Sequence, residues 1–519
     1  MLPNLAKGGG MAATRKAVVI GSGAGGLAAA AYLAKGGAQV TLLERAPVIG
    51  GYINSFNRKG YCFDPGVHYV GECRPGQGIH RVFAGLDLDA DNLFCELDRD
   101  GFDRYRFPGL EVRVPRGFGA FQDRLTDLFP SEKKNIERFF ALARELAEAS
   151  RAMTKLSFQK PALSDLTLLR HVPTLLRWGK ATYKQLLDWI TPDPKLQAVL
   201  AANCGDYGLP PSRASALYGL MLHVHYSDGA FFPRGGSGRM KDKLVDYVKA
   251  RGGTVRTRAE VAEIIVNKRR AVGVRLSGGE EIPADKIVSA IDPILTFGKL
   301  IKAEHLPERL MRKVNRTEPS VGMFYVFLGM KRDLRQHGLG AFDIWDYPDW
   351  DLDAMYAPLF AGRMPTVPAF FLSPNSLKDD SGECAPKGSS TLEIITVAPY
   401  ELFSKWDGQP SNRRGTDYLQ LKNTIGDGLL KEVERRHPGL IGDIEVQEYA
   451  TPLSNSYWAG AVRGGSYGPA MTPNQVGPFR FQTAAPIRNL FLAGAGVFGG
   501  GVSPSLASGV VAARMALRD

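Results

Sequence analysis

The residues whose types and spacing could do chemistry begin at Gly21. Gly21-Ser22-Gly23-Ala24-Gly25-Gly26 follows the apolar run Lys16-Ala-Val-Val-Ile20 and opens an alanine-rich stretch, Leu27–Lys35, that Gly36-Gly37 stops. Gln39-Val-Thr-Leu-Leu43 then leads into Glu44. Strand, glycine turn, helix, strand and acid, in that order, are the parts that bind a dinucleotide. Gly21 makes the tight turn, Gly23 lets a pyrophosphate approach the backbone, and Gly26 lets the helix close on the sheet. The N–H groups at Ala24 and Gly25, with the helix dipole behind them, favour phosphate. Glu44 accepts hydrogen bonds from ribose hydroxyls and repels a 2′-phosphate, an exclusion that Arg45 beside it softens. A turn used only for packing leaves the placement of Glu44 unexplained.

Two further glycine groups extend this unit. Gly50-Gly51-Tyr52 comes soon after the ribose acid and lets the chain pass close to a second cofactor segment, which a simple NAD dehydrogenase does not need. Near the other end, the buried-strand pattern Asn489–Ala493 runs into Gly494-Ala-Gly496 and Gly499-Gly500-Gly501. Val502-Ser503-Pro504-Ser505 then opens a helix through Leu517, with Pro504 where a first-turn proline is tolerated. Between them, Gly235-Gly236 precedes an amphipathic helix at Arg239–Ala250. Short strands follow at Thr254–Thr257, Val261–Val266, Ala271–Leu276 and Lys286–Ala290.

Composition agrees with an enzyme-sized globular chain. Of 519 residues, 59 are glycine, about 11% against a usual ~7%, without the period of collagen. Hydrophobic residues make up 44% and charged residues 23%, which excludes wholesale disorder, and the length suits roughly two to four domains. The five scattered cysteines form no CxxC pair, so neither a disulfide scaffold nor a structural zinc site is expected. His223-Val-His225 would converge on a strand but diverges on the helix that Ala214–Leu222 favours, so no metal is expected. Residues 1–16 carry no continuous apolar run and read as a short flexible tail rather than a secretory signal. Ala17–Ala38 and Leu490–Leu517 are apolar but broken by glycines. The expectation is a reducing cytoplasmic compartment without a spanning helix.

A helix is expected from Ser131 as N-cap, with Phe139, Phe140, Leu142 and Leu146 as its core stripe. Residues 151–190 then carry seven Lys or Arg against Asp165 and Asp188, for a net +5 (7 − 2), together with Trp178 and Trp189. Such a segment lies on an anionic membrane surface, or forms a helix pair packed on its own domain with a solvated basic face. The basic residues are not organised around a nucleic-acid reading motif, so nucleic acid is not expected as a partner.

The Glu44-Arg45 to Gly50-Gly51 continuation resembles the FAD flavoproteins grouped with amine oxidases, phytoene desaturases and Rab GDP-dissociation inhibitors. Gly60–Gly71 (Gly-Tyr-Cys-Phe-Asp-Pro-Gly-Val-His-Tyr-Val-Gly), Asp206–Ser212, Ser373-Pro-Asn-Ser and Arg463–Pro469 resemble stretches of retinol saturases and carotenoid isomerases. The likeness runs from about Lys16 to the end, with a departure at Asp64-Pro65, where the saturases usually carry threonine.

The resemblance implies an α/β fold, a Rossmann-like FAD-binding domain of the glutathione-reductase type interleaved with an α+β substrate domain. The first takes residues 1–71, 229–290 and 487–519, the second 72–228 and 291–486. It implies FAD as cofactor, with Val261 at the adenine side through its backbone. Gly494, Gly496, Val502 and Ser503 fall near the ribityl–phosphate or the N1/C2 edge of the flavin. It implies saturation, cis-trans isomerisation or desaturation of a long polyene or isoprenoid. His68 falls near the cofactor, either as a polar wall in a buried loop or as a proton donor, with Tyr467 a second candidate for that proton. Two alternatives are a flavin amine oxidase and a lipid- or prenyl-binding escort without redox activity. The intact glycines at both ends argue against the escort. If 151–190 lies on membrane, the protein co-sediments with anionic liposomes at low ionic strength and is released by salt; absence of co-sedimentation removes that surface.

Overall fold

Alternation along the first strand sets the architecture. In Lys16–Ile20, Ala17 and Val19 pack with Leu27, Ala31 and Val510, while Val18 and Ile20 point the other way into Ile264, Val274 and Ile287. A strand buried on both faces belongs inside a parallel sheet covered on two sides. The computed structural model, which describes residues 15–158 and 170–518, places it there. Five parallel strands lie in the order Leu490–Leu492, Lys286–Ser289, Lys16–Ile20, Gln39–Leu43 and Thr254–Arg256. Helices Ala24–Lys35, Ser237–Ala250 and Val502–Arg518 pack against one another and cover one face. The antiparallel strands Val261–Asn267, Arg270–Leu276 and Glu281–Pro283 cover the other. Thr254–Arg256 thus closes the edge of the parallel sheet, and Val261–Asn267 with Arg270–Leu276 form an antiparallel hairpin.

Glycine makes the helix contacts close enough. A Cβ on Gly26 would sit 1.9 Å from the carbonyl oxygen of Gly21, and one on Gly25 would sit 2.6 Å from the nitrogen of Gly494. Gly509, on the last helix, faces the carbonyl of Gly25 with only 2.1 Å to spare for a Cβ. The two ends of the chain therefore meet backbone to backbone.

The second layer is a seven-stranded sheet in the order Ile444–Ala450, Gly322–Met330, Ser390–Ala398, Phe370–Ser373, Asp343–Asp346, Asp103–Phe107 and Leu110–Val114. All its pairs are antiparallel except Asp343–Asp346 on Asp103–Phe107, which sets Asp343 beside Asp103. Met323, Tyr325, Phe371 and Ile395 face one core, shared with helices Lys133–Phe158 and Ala216–His225. Phe324, Val326 and Ile394 face another, beneath helix Gly415–Arg436.

The helix expected from Ser131 begins instead at Lys133, after a single 3-10 turn at Pro130–Glu132 that carries no side-chain cap. Phe139, Phe140, Leu142 and Leu146 are its buried stripe, as expected. Of the 151–190 segment, residues 159–169 lie outside the described residues, as does the tail at 1–14. Helices Val172–Trp178 and Tyr183–Ile190 follow. Trp178 is core, 5.3 Å from Trp189, and the Arg177 guanidinium lies over both rings, whereas Leu176 is 78% exposed. Among the described residues no helix is long and apolar enough to cross a membrane.

Gly26→Ala should lower stability by at least about 3 kcal/mol, since its Cβ meets backbone rather than a movable side chain. Gly119→Ala, in the exposed first turn of helix Phe118–Leu128 with open space around it, should be neutral or gain about 0.5 kcal/mol. Denaturant melts of the two variants check both values.

Candidate active site

One cavity of about 410 Å³ meets the glycine turn, the start of the last helix and the inner face of the seven-stranded sheet. Gly23 caps the first helix without any side-chain hydrogen bond, leaving the first-turn N–H groups for a ligand. A Cβ on Gly23 would find nothing within 4 Å, although its neighbours Gly25 and Gly26 are packed against backbone. The chain is open where a pyrophosphate would lie and closed behind it. Glu44 borders the same space. Its carboxylate accepts from Ser22 N (2.9 Å), Ser22 Oγ (2.6 Å) and Ala46 N (2.8 Å), and Ser22 Oγ in turn accepts from Gly50 N at 3.0 Å. At the other end of the cradle, Gly501, Val502 and Ser505 bring a second helix N-terminus to the cavity. Two positive helix ends and a ribose acid around one cavity suit a flavin nucleotide.

All the expected site residues line this cavity except Gly26, Gly50 and Ser503. Gly26 serves the helix–sheet contact, and Gly50 anchors the second glycine turn to Ser22. Ser503 donates its hydroxyl to Glu72 and leaves the cavity wall to Ser505. Arg45 turns its guanidinium to the carbonyls of Ser456 and Tyr457, at 3.1 and 3.0 Å. His223 and His225 diverge on their helix: His223 Nε2 lies 2.9 Å from the Leu200 carbonyl, and His225 Nε2 accepts from Gly71 N at 2.9 Å.

His68 and Tyr467 both face the cavity. Burial lowers the His68 imidazole to about 4, so it is neutral near pH 7. Its Nδ1 lies 3.1 Å from Glu393 Oε2, but neither atom is aligned for a hydrogen bond. Tyr467 donates to the Gly205 carbonyl at 2.9 Å, and burial holds its phenol well above the ordinary range.

Behind this wall lies an ionisable cluster that the sequence reading missed. The Lys378 ammonium, fully buried, donates to Asp343 Oδ1 (2.5 Å), Ser373 Oγ (2.7 Å), the His68 carbonyl (2.9 Å) and Asn375 Oδ1 (3.1 Å). Burial drives both members of the Lys378–Asp343 pair toward their neutral forms. Tyr69 joins Asp103 to Asp206, and Glu393 accepts from Asp64 N at 2.7 Å. Burial raises Glu393 to about 8 and Asp206 to about 7, and burial with the neighbouring Asp343 charge holds Asp103 well above the carboxylate range. Asp64 accepts from Ser55 Oγ and Ser237 N, both at 2.7 Å, and so caps the helix that Gly236 opens. The single charged residue of strand Ser390–Ala398, Glu393, was the available signal.

Away from the cavity, Cys95, Asp379 and Asp380 bring ligand atoms within 4.8 Å of one another. Asp380 is held there by both arms of the Arg234 guanidinium, at 2.6 and 2.9 Å.

Parallel sheet, uncapped glycine helix start, the Glu44 carboxylate beside it and the adjoining chamber define a flavin-dependent oxidoreductase. The chain belongs to the flavin containing amine oxidoreductase family, which matches residues 24–517. It is 29% identical over 513 residues to the all-trans-retinol 13,14-reductase of Rattus norvegicus, covering 94% of this chain and 83% of that one. It is also 29% identical over 527 residues to the chloroplastic prolycopene isomerase of Daucus carota, covering 97% and 80%. An oxidoreductase from Methanosarcina mazei shares the fold with a TM-score of 0.65 at 16% identity, over 96% of this chain and all of that one. Putrescine oxidase bound to putrescine does so with 0.63 at 17% identity, over 98% and 99%.

Lys378→Met strands Asp343 in the core and should cost about 3–5 kcal/mol in denaturant unfolding. Adding Asp343→Asn should restore most of that loss.

Proposed function

We propose that this chain is an FAD enzyme that saturates or isomerises carbon–carbon double bonds of a long polyene or isoprenoid. The observation that carries the reading is the continuity of one cavity. The space beside the flavin cradle is also walled by Tyr347, Met355, Leu359, Phe371 and Ile395, an apolar chamber suited to a hydrocarbon. The retinol reductases and prolycopene isomerases, similar over nearly the whole chain, support the substrate class and favour reduction or isomerisation over desaturation. On this reading residues 1–71, 229–290 and 487–519 hold the cofactor, and 72–228 with 291–486 form the chamber.

Gly23, Ala24 and Gly25 would hold the pyrophosphate through their N–H groups, Glu44 the ribose, Val261 the adenine side, and the start of helix Val502–Arg518 the flavin end. FAD, when bound, supplies hydride chemistry, and the protein orients the substrate and keeps water out. Neutral His68 then acts as a polar wall rather than a cation, and Tyr467 fixes the Gly205-Asp206 turn through the Gly205 carbonyl.

Purified protein should be yellow, bleach on reduction and release FAD on denaturation. Under anaerobic conditions with reduced flavin, all-trans-retinol or prolycopene should gain two hydrogens or change spectrum at constant mass. A colourless protein that FAD cannot reconstitute overturns the redox reading, and a yellow one inert toward both polyenes overturns the substrate class.

A further inference from the structure

The Tyr69 hydroxyl stands between two carboxyl oxygens, 3.0 Å from Asp103 Oδ2 and 3.2 Å from Asp206 Oδ2. A phenol has one proton to donate. Both contacts are hydrogen bonds only when one of the carboxyls carries a proton of its own. The surroundings favour that state. Asp103 is buried, accepts from Trp345 Nε1 at 3.2 Å on its other oxygen, and lies in register beside Asp343. The nearby Lys378 ammonium is already engaged by Asp343. Carboxylates held this close do not all ionise. Asp206 differs from Asp103 in one respect: it faces the cavity, beside Gly205, His68 and Tyr467.

We propose that Asp206 is the catalytic acid that protonates the substrate carbon, and that Tyr69 and Asp103 are positioning residues that reload it. The inference rests on the polyene reading. In a reduction, a hydride from two-electron-reduced flavin bonds to one carbon of the conjugated system. The displaced π pair then forms the second C–H bond with the proton of the Asp206 carboxyl. The product has gained two hydrogens, the flavin is oxidised, and Asp206 is left as carboxylate. The Tyr69 proton then passes to Asp206 as a second proton, held on the Asp103 carboxyl, passes to Tyr69, and one proton from water returns to Asp103 in each turnover. In an isomerisation the proton is added to a CH carbon and either hydrogen of that carbon then returns to Asp206, so the product exchanges hydrogen with solvent without net gain.

The titration of Asp206 is set from several elements. Tyr69 and His225 favour its charged form, as does Tyr226, while Asp343 opposes it; burial outweighs them all and raises the group to about 7. Asp103, across Tyr69, and the phenol of Tyr467 also face this site. The acid form is the working form, so turnover should fall as pH rises through about 7.

The test uses the flavin-loaded protein in deuterated water with all-trans-retinol and with prolycopene. Wild type should place solvent deuterium on one product carbon. Asp206→Asn should cut product formation about a hundredfold or more, while keeping its flavin content, its melting temperature and its reduction by dithionite. Infrared difference spectra, which need no substrate, should show a carboxyl band titrating near 7 in wild type and absent from Asp206→Asn. Tyr69→Phe should move that midpoint upward, because it removes a donor that favours the carboxylate, and should slow repeated turnover more than the first. It also reads the same carboxyl if Asp206→Asn fails to fold. An Asp206→Asn protein turning over at the wild-type rate, a band that persists in it, or product formed without deuterium uptake overturns the inference. If wild type acts on neither polyene, the substrate reading has failed, and the infrared titration alone decides for or against Asp206.

Discussion

One buried ammonium holds the site together. Lys378 has three N–H donors and no water, so each proton needs a protein acceptor, and four lie within reach on three segments. Asp343 belongs to the seven-stranded sheet, Ser373 and Asn375 to the turn after its neighbouring strand, and the His68 carbonyl to the loop that leaves the glycine-rich unit. Shifting that loop takes away one of the acceptors of the ammonium. Its next residue, Tyr69, is thereby brought between Asp103 and Asp206, and its side chains on the cavity side meet the flavin cradle. The five-stranded and seven-stranded sheets share no strand pair, and this contact ties the loop to the second of them.

The same cluster decides the electrostatics. Four buried acids, Asp64, Asp103, Asp343 and Glu393, and the half-buried Asp206 lie around Lys378 and a neutral His68. Full ionisation would leave the dry core strongly negative, so protons stay on carboxyls that would lose them in water. The cavity wall is therefore rich in hydrogen-bond donors yet low in net charge, compatible with an apolar chamber beside it. Buried polar clusters of this kind are stable only when their members are satisfied, and most of these are held by named donors.

The glycine turn, Glu44 after the second strand and the second glycine helix start were legible because each is a local device. Residues within a few positions of one another make the turn, the cap and the close approach, and their spacing survives in the linear chain. The acid cluster was not legible for the opposite reason. Asp103, Asp206, Asp343, Lys378 and Glu393 come from five separate segments, brought together by the register of Asp343 on Asp103 and of Glu393 on Ser373, by the turn before Lys378 and by Tyr69. His68 was picked out by its neighbours, but the residue beside it, Tyr69, makes the connections. Ser131 read as an N-cap because local chemistry favours it, and the chain instead used Pro130 to form one tight turn before the helix.

The contact of Gly25 with Gly494 and Gly509 has a consequence for how the protein is made. The partners are 469 residues apart (494 − 25), and synthesis at roughly 5–20 residues per second separates them by about half a minute or more. During that interval the first helix exists without the helix that covers it, and its apolar face (Leu27, Leu33) lacks its final partners, Val510 and Ala513. Shielding by a chaperone or by the ribosome itself falls in that window. Helix Ala24–Lys35 is thus translated well before the turn and the helix that close on it.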